Sequence, residues 1–354
     1  MVSGCPQPMA MTAREGGAPH GHQPKTASDH ATRATCARPA RADRGLDPAT
    51  FRHDTAAMEQ HPWKWKWSNQ VVAQWARQRQ PERMHELIRQ TCHFASMGGI
   101  DGRMDIFAGE STQRLEQIGR EYRDEGLAIY SFHLPYRHGD DLSNFSEWTR
   151  RNAVEAAQQW MENAAALGVK VAVAHPAINR APVEVDGMDN FLRALDRSLQ
   201  VLLPLAESLG LTLALENMTP GPEGGRFGSQ PEHILRMREA LDHPRLGFCL
   251  DTGHALLSCH ERAPEMFEAM APRLAAFHLV DNAGDRDSHL APGHGLVEWD
   301  RVFQGMARIG YSGVACIEAP PFAYGPDYAP EAFRQMIETI ERLAENALVG
   351  TAQQ

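Results

Sequence analysis

From residue 60 onward the apolar positions follow two rhythms that take turns. "WKWKW" (63–67) alternates apolar and polar side chains, the period of a β-strand. "PERMHELIRQTCHFA" (81–95) spaces its apolar residues as a helix does, and "GIDGRMDIF" (99–107) reads as a short second strand. The alternation then repeats to the end of the chain. Helices are expected at 111–126, 146–168, 188–210, 230–241, 263–274, 297–310 and 329–348. Strands are expected at 127–133, 169–175, 211–216, 246–250, 275–278 and 313–318. Gly126 and Gly168 stand where a helix end favours left-handed backbone, and Ser146 stands where a helix start favours a side-chain oxygen. The helix 188–210 is expected to continue through Pro204.

Short apolar strands alternating with helices imply a parallel sheet covered by helices. Eight such units predict an α/β fold, a (β/α)8 TIM barrel, over residues 59–348. The competing arrangement is an open doubly wound sheet, but no Gly-x-Gly-x-x-Gly turn follows any strand. Residues 1–58 are a different material. They are rich in Ala, Arg, Thr, Gly, Pro and His and show almost no apolar periodicity. Such a segment cannot bury enough surface to offset its ordering entropy, so a disordered N-terminal tail is expected. It lacks the apolar stretch of a secretory signal. An Arg-rich targeting segment and a start upstream of the true first residue, Met58, both stay open. His20 and His22 belong to this solvated tail. Residues 349–354 are expected to form a C-terminal tail.

Composition changes the picture in three ways. At 42% hydrophobic and 23% charged residues, the 354-residue chain has the balance of a soluble globular protein. No run of about 18 apolar residues occurs, so no transmembrane helix is expected. The net charge of −10 gives no general attraction to nucleic acid or anionic lipid, and neither is expected as a partner. The six cysteines are scattered without a Cys-x-x-Cys pair, which excludes a zinc ribbon or thioredoxin-like site. Cys249 and Cys316 lie in apolar runs and read as small core residues. The setting expected is reducing and cytoplasmic.

The chemistry gathers where the strands end. "LGFCLDTGHALL" (246–257) interrupts an apolar run with Asp251 and His254. The third strand ends on His133, the fourth on His175, the fifth on Glu216, the sixth on Asp251, the seventh on His278 and the eighth on Glu318. His, Asp and Glu make up only about one residue in six of the chain, so chance explains this poorly. In a (β/α)8 barrel all these ends open on one face, where the active site is built. Several carboxylates crowded together repel unless a cation sits among them. Mixed imidazole and carboxylate donors suit Zn²⁺, Mn²⁺ or Fe²⁺ rather than Ca²⁺. A divalent metal held by Glu216, Asp251, His278 and Glu318 is therefore expected, with His254 reaching the same cavity from the following loop. "DNAGDRDSHLAPGHG" (281–295) adds Asp287, His289 and His294.

The phrases "SFHLPY", "VAVAHP", "LALEN", "CLDTGH", "FHLVDN", "DSHLAPGHG" and "CIEAP", in this order, resemble the xylose isomerase-like TIM-barrel superfamily. That group holds sugar phosphate isomerases and epimerases together with AP endonucleases of the endonuclease IV type. The likeness is good over residues 127–345 and one of rhythm only over 60–110. In the epimerase-like branch the resemblance implies one metal, often Mn²⁺, on Glu216, Asp251, His278 and Glu318. The two glutamates also move the proton, and His254 contacts substrate oxygen. In the nuclease branch it implies three Zn²⁺ ions on nine residues. Those match the same four together with His133, His175, His254, Asp287 and His289. The chain departs from the nuclease pattern in "WSNQVVAQW" after the first strand and in Gly293-His294-Gly295.

The expected activity is therefore proton transfer beside a carbonyl of a sugar, sugar phosphate or keto-polyol, passing through a metal-stabilised enediolate. Glu216 and Glu318 are the candidate acid and base; His133, His175, His254 and Arg226 are candidate substrate contacts. One ion is expected and up to three can be accommodated. The same chemistry serves isomerase, epimerase and lyase outcomes, and a zinc phosphodiesterase or a non-catalytic sugar-binding module are the rival classes. Two Gly- and Pro-rich loops (219–229 and 319–330) are candidate lids. The second offers Phe322, Tyr324 and Tyr328 for stacking on a sugar face. The partner expected is a small carbohydrate, with assembly into a homo-oligomer left open.

Overall fold

The computed structural model describes residues 65–93, 96–178, 181–325 and 330–349. The expected N-terminal tail, His20, His22, Tyr328 and residues 350–354 lie outside the described residues. Eight parallel strands form a closed barrel in chain order: β1 (Lys66–Asn69), β2 (Met97–Arg103), β3 (Ala128–His133), β4 (Val171–Ala174), β5 (Thr212–Glu216), β6 (Leu246–Asp251), β7 (Leu274–Leu279) and β8 (Val314–Ile317). β8 pairs with β1 over four positions and closes the ring. The strands are short and apolar because helices cover the outside and side chains fill the inside. All residues of β4 and β6 are buried. Val171, Val173, Ala214, Cys249 and Ala276 form a small apolar cluster of their own. Cys249 and Cys316 are buried as expected, and burial pushes their thiols up.

The helices are α1 (Val71–Arg79), α2 (Met84–Cys92), α3 (Met104–Phe107), α4 (Thr112–Asp124), α5 (Glu147–Leu167), α6 (Val183–Asp186), α7 (Met188–Leu209), α8 (Pro231–Ala240), α9 (Thr252–Cys259), α10 (Ala263–Met270), α11 (Trp299–Arg308) and α12 (Pro330–Val349). Ser146 caps α5 by accepting from the Thr149 amide, and Gly168 ends it with φ +88°. α7 runs through Pro204. None of the described helices is long and apolar enough to cross a membrane.

Four local expectations are corrected. Strand two stops at Arg103, and 104–107 form α3, because Ile106 and Phe107 turn into the core as a helical pair. The helix expected at 81–95 begins as a 3₁₀ turn at Pro81–Arg83 and ends at Cys92. Residues 252–259 are the helix α9, so His254 sits in the first turn of a helix and not in a loop. Val349 also belongs to α12 rather than to a tail.

Candidate active site

The C-terminal ends of β3 to β8 carry the site. His133, Glu216 and Asp251 are the last residues of β3, β5 and β6. His175 and Glu318 lie one residue beyond β4 and β8, and His278 is the penultimate residue of β7. All six side chains meet in one polar cluster.

Glu216 is its hub. Its Oε2 lies 3.2 Å from His133 Nε2 and 3.0 Å from His175 Nε2, and its Oε1 lies 3.0 Å from His278 Nδ1. Burial alone would raise this carboxyl, but His278, His133 and His175 hold it well below the usual carboxylate range. His278 Nδ1 is also 3.0 Å from Glu318 Oε2, so one imidazole nitrogen faces both glutamates. The Glu318 carboxyl is likewise lowered, against its burial, by His278 and His289.

Asp251 answers to two demands. Its Oδ1 accepts from the His254 amide at 2.7 Å, which caps α9. Its buried Oδ2 has no hydrogen-bond partner. Burial, reinforced by Glu216 and Glu318, raises its carboxyl to about 7. Asn217 locks this corner: its Oδ1 accepts from the Asp251 amide at 2.8 Å, and its Nδ2 donates to the Asp251 carbonyl at 2.9 Å. The Asn217 carbonyl accepts from His254 Nδ1 at 2.9 Å, which turns His254 Nε2 to Asp287 Oδ2 at 3.3 Å. Burial would lower the His254 pKa, but the Asp251, Asp287 and Glu216 carboxylates bring it up to about 10.

The loop after β7 completes the rim. Asp287 Oδ2 bridges His254 and His289 Nε2, the latter at 3.4 Å, and His289 Nδ1 donates to the Glu318 carbonyl at 2.8 Å. Asp287 raises the His289 pKa to about 10. Partial burial holds His175 down at about 4, although Glu216 opposes this. Tyr136 packs edge-on to His133 with ring centres 4.7 Å apart.

A cavity of about 490 Å³ opens here, lined by Tyr136, His175, Met218, Arg226, His254 and Asp287 among others. Arg226 lines it but is itself buried, and it donates to the carbonyls of Ala177 at 2.7 Å and Ile178 at 3.3 Å. A larger cavity of about 1050 Å³ lies among α9, α10 and α11, and none of the candidate site residues lines it. Tyr324, from the loop after β8, meets His294 Nε2 through its hydroxyl at 2.9 Å, while Phe322 is exposed.

The donor set fits a divalent ion. Glu216, Asp251, His278 and Glu318 each offer one ligand atom, all within 4.8 Å of one another, and His133, His175 and Glu216 form a second such group. The unpartnered Asp251 Oδ2 is the atom such an ion would satisfy. Sequence reasoning missed two residues beside these ligands. Asn217 stood in "LALEN" but its neighbour drew the attention. Asp101, fully buried inside β2, breaks an apolar strand between Ile100 and Gly102, and that interruption was the available signal.

Comparisons with known proteins bear on the family and the fold. A family model described as xylose isomerase-like TIM barrel matches residues 94–346. A fructoselysine 3-epimerase from Shigella flexneri is 26% identical over 154 residues, 42% of this chain and 54% of that protein. The chain thus spans about half the length of that relative. A probable endonuclease 4 from Sulfurihydrogenibium is 22% identical over 210 residues, 55% of this chain and 71% of that protein. A crystal structure of a D-tagatose 3-epimerase-like protein superposes with a TM-score of 0.65 at 20% identity, covering 81% of this chain and 99% of that one.

Proposed function

The chain belongs to the xylose isomerase-like TIM-barrel family, and from that premise we propose that it is a divalent-metal-dependent isomerase or epimerase of a sugar or keto-polyol. The observation that carries this reading is the meeting of Glu216 and Glu318 at the same imidazole nitrogen of His278, with Asp251 beside them. Glu216, Asp251, His278 and Glu318 would hold the ion, Mn²⁺ or Zn²⁺ by donor chemistry. When bound, it supplies Lewis-acid polarisation of adjacent substrate oxygens.

The chain's own groups do the rest. One glutamate, ionised, removes the proton from the carbon beside the carbonyl; the other delivers to that carbon or its neighbour a proton it has taken from water, and the first releases its own to water. Both carboxyls are held below their ordinary pKa, so both are ionised at neutral pH and either can start as the base. His254, kept protonated by its carboxylate neighbours, offers its Nε2 proton to a substrate oxygen. His133 and His175 steady Glu216 at the other side, and His175 borders the cavity with Tyr136.

The test is a panel of keto-sugars incubated with the metal-loaded protein in D₂O. Deuterium at carbon in recovered substrate or product is the expected result; exchange with no member of the panel counts against the reading. A second reading, zinc phosphodiesterase, is favoured by one observation. His133 and His175 join Glu216 in a second ligand group, and His254, Asp287 and His289 add a third set of donors. Three tightly held Zn²⁺ ions per chain with cleavage of abasic DNA would establish it in place of the first.

A further inference from the structure

Asp101 is a carboxylate in the wall of the barrel, completely buried, with no place in the chemistry described above. Leaving a charge there is costly unless it is well partnered. Its two hydrogen-bond partners are both neutral. Ser131, its register partner on β3, donates to Oδ1, and the Gln70 amide reaches Oδ2 at 3.4 Å. Among the described residues the one group at ion-pairing distance is His278, whose Nε2 lies 4.0 Å from Oδ2. That Nε2 is buried and without a hydrogen-bond partner, while Nδ1 of the same ring faces Glu216 and Glu318 at 3.0 Å each. The ring therefore lies between an acidic cluster at the mouth and a single carboxylate beneath it.

We propose that Asp101 is the positioning residue of His278: it accepts the Nε2 proton, fixes the ring's tautomer and orientation, and so leaves the Nδ1 lone pair directed at the ion shared with Glu216, Asp251 and Glu318. A metal-bound imidazole commonly donates its other N–H to a carboxylate, which raises its basicity and fixes its plane. Closing the 4.0 Å separation needs a shift of about 1 Å to reach an ordinary hydrogen bond. The Cys249 thiol also touches His278, but sulfur is a weak acceptor and a poor substitute. The inference rests on the metal-dependent reading of the site.

The experiment measures Zn²⁺ and Mn²⁺ binding by calorimetry on the full chain and on Asp101→Ala, Asp101→Asn and Cys249→Ala. Asp101→Ala is expected to weaken binding by about 10–100-fold. Asp101→Asn should recover part of the loss, because its amide oxygen still accepts from Nε2, and Cys249→Ala should stay within about threefold of the parent, as a bystander would. Binding by Asp101→Ala within that same threefold, or a loss with Cys249→Ala as large as with Asp101→Ala, overturns the assignment. A crystal structure of the metal-loaded parent decides the matter even where a variant fails to fold. Nδ1 on the ion with Nε2 within hydrogen-bonding distance of Asp101 is the supporting result; ligation through Nε2 is the opposing one. If the parent binds no divalent ion at all, the reading of the whole site falls and takes this role with it. Unchanged binding in the variants removes the role of Asp101 alone.

Discussion

His85 shows how much one buried proton site can weigh. Its ring stacks on Phe107, its Nδ1 lies 3.3 Å from the Tyr122 hydroxyl, and burial, helped by Arg114 and Arg89, lowers its pKa to about 4. The unfolded chain, with an ordinary value of 6.5, therefore binds more protons than the folded one between those limits. Stability from this group is complete above about pH 6.5 and is lost as pH falls toward 4, by on the order of 2–3 kcal/mol. Urea unfolding of the parent and of His85→Gln at pH 7 and pH 4.5 checks this: the variant should lose less stability across the interval. Glu216 gives the second expectation at this scale. It touches three imidazoles, so on the proposed reading Glu216→Gln removes a proton carrier, an ion ligand and the anchor of His133 and His175 together. Deuterium exchange should fall by at least about 100-fold, with weaker metal binding by calorimetry. Glu318→Gln should cut exchange comparably while leaving His133 and His175 in place, which a crystal structure would record.

Among the elements, the loop from Asp281 to Val297 is held by one carboxylate. Buried Asp281 accepts from the amides of Asn282, Gly293 and Val297 and from Trp299 Nε1 at 2.9–3.0 Å. Gly295 passes so close that a Cβ there would collide with the Asn282 carbonyl and the Asp281 carboxylate. Asp281→Ala leaves four donors unmet and should cost about 3 kcal/mol in chemical denaturation. It should also reduce exchange activity, because Asp287 and His289 ride on this loop. Such a role was illegible in the sequence, where Asp281 reads as one polar residue among many in "DNAGDRD"; its partners lie up to 18 positions away and converge only in the folded loop. Element types were legible wherever period and caps agreed, as in α5 and α7. They failed where the chain changes period without punctuation: "DGRMDIF" carries strand into helix, and "DTGHALL" does the same after β6. The convergence of these side chains was readable because barrel geometry gathers strand ends at one mouth. Asp101 escaped since it lies within its strand and not at the end.

For the molecule as a whole, the proposed ion binding would share one free energy with folding. An ion that binds only the folded barrel stabilises it by about 2.7 kcal/mol at a concentration 100 times Kd. At about 2–4 °C per kcal/mol, treatment with a chelator should lower Tm by about 5–10 °C, reversed by added Mn²⁺ or Zn²⁺. A Tm indifferent to both chelator and ion would argue that the acidic cluster is balanced by its imidazoles alone. The ring closes only when β8 docks between β7 and β1, and Glu318 follows directly on that strand. A nascent polypeptide still on the ribosome and short of that point carries His133, His175, Glu216, Asp251 and His278 without the enclosure that aligns them. On the proposed reading, loading of the four-ligand ion site thus waits for the last strand of the ring, and a truncated translation product lacks the Glu318 ligand.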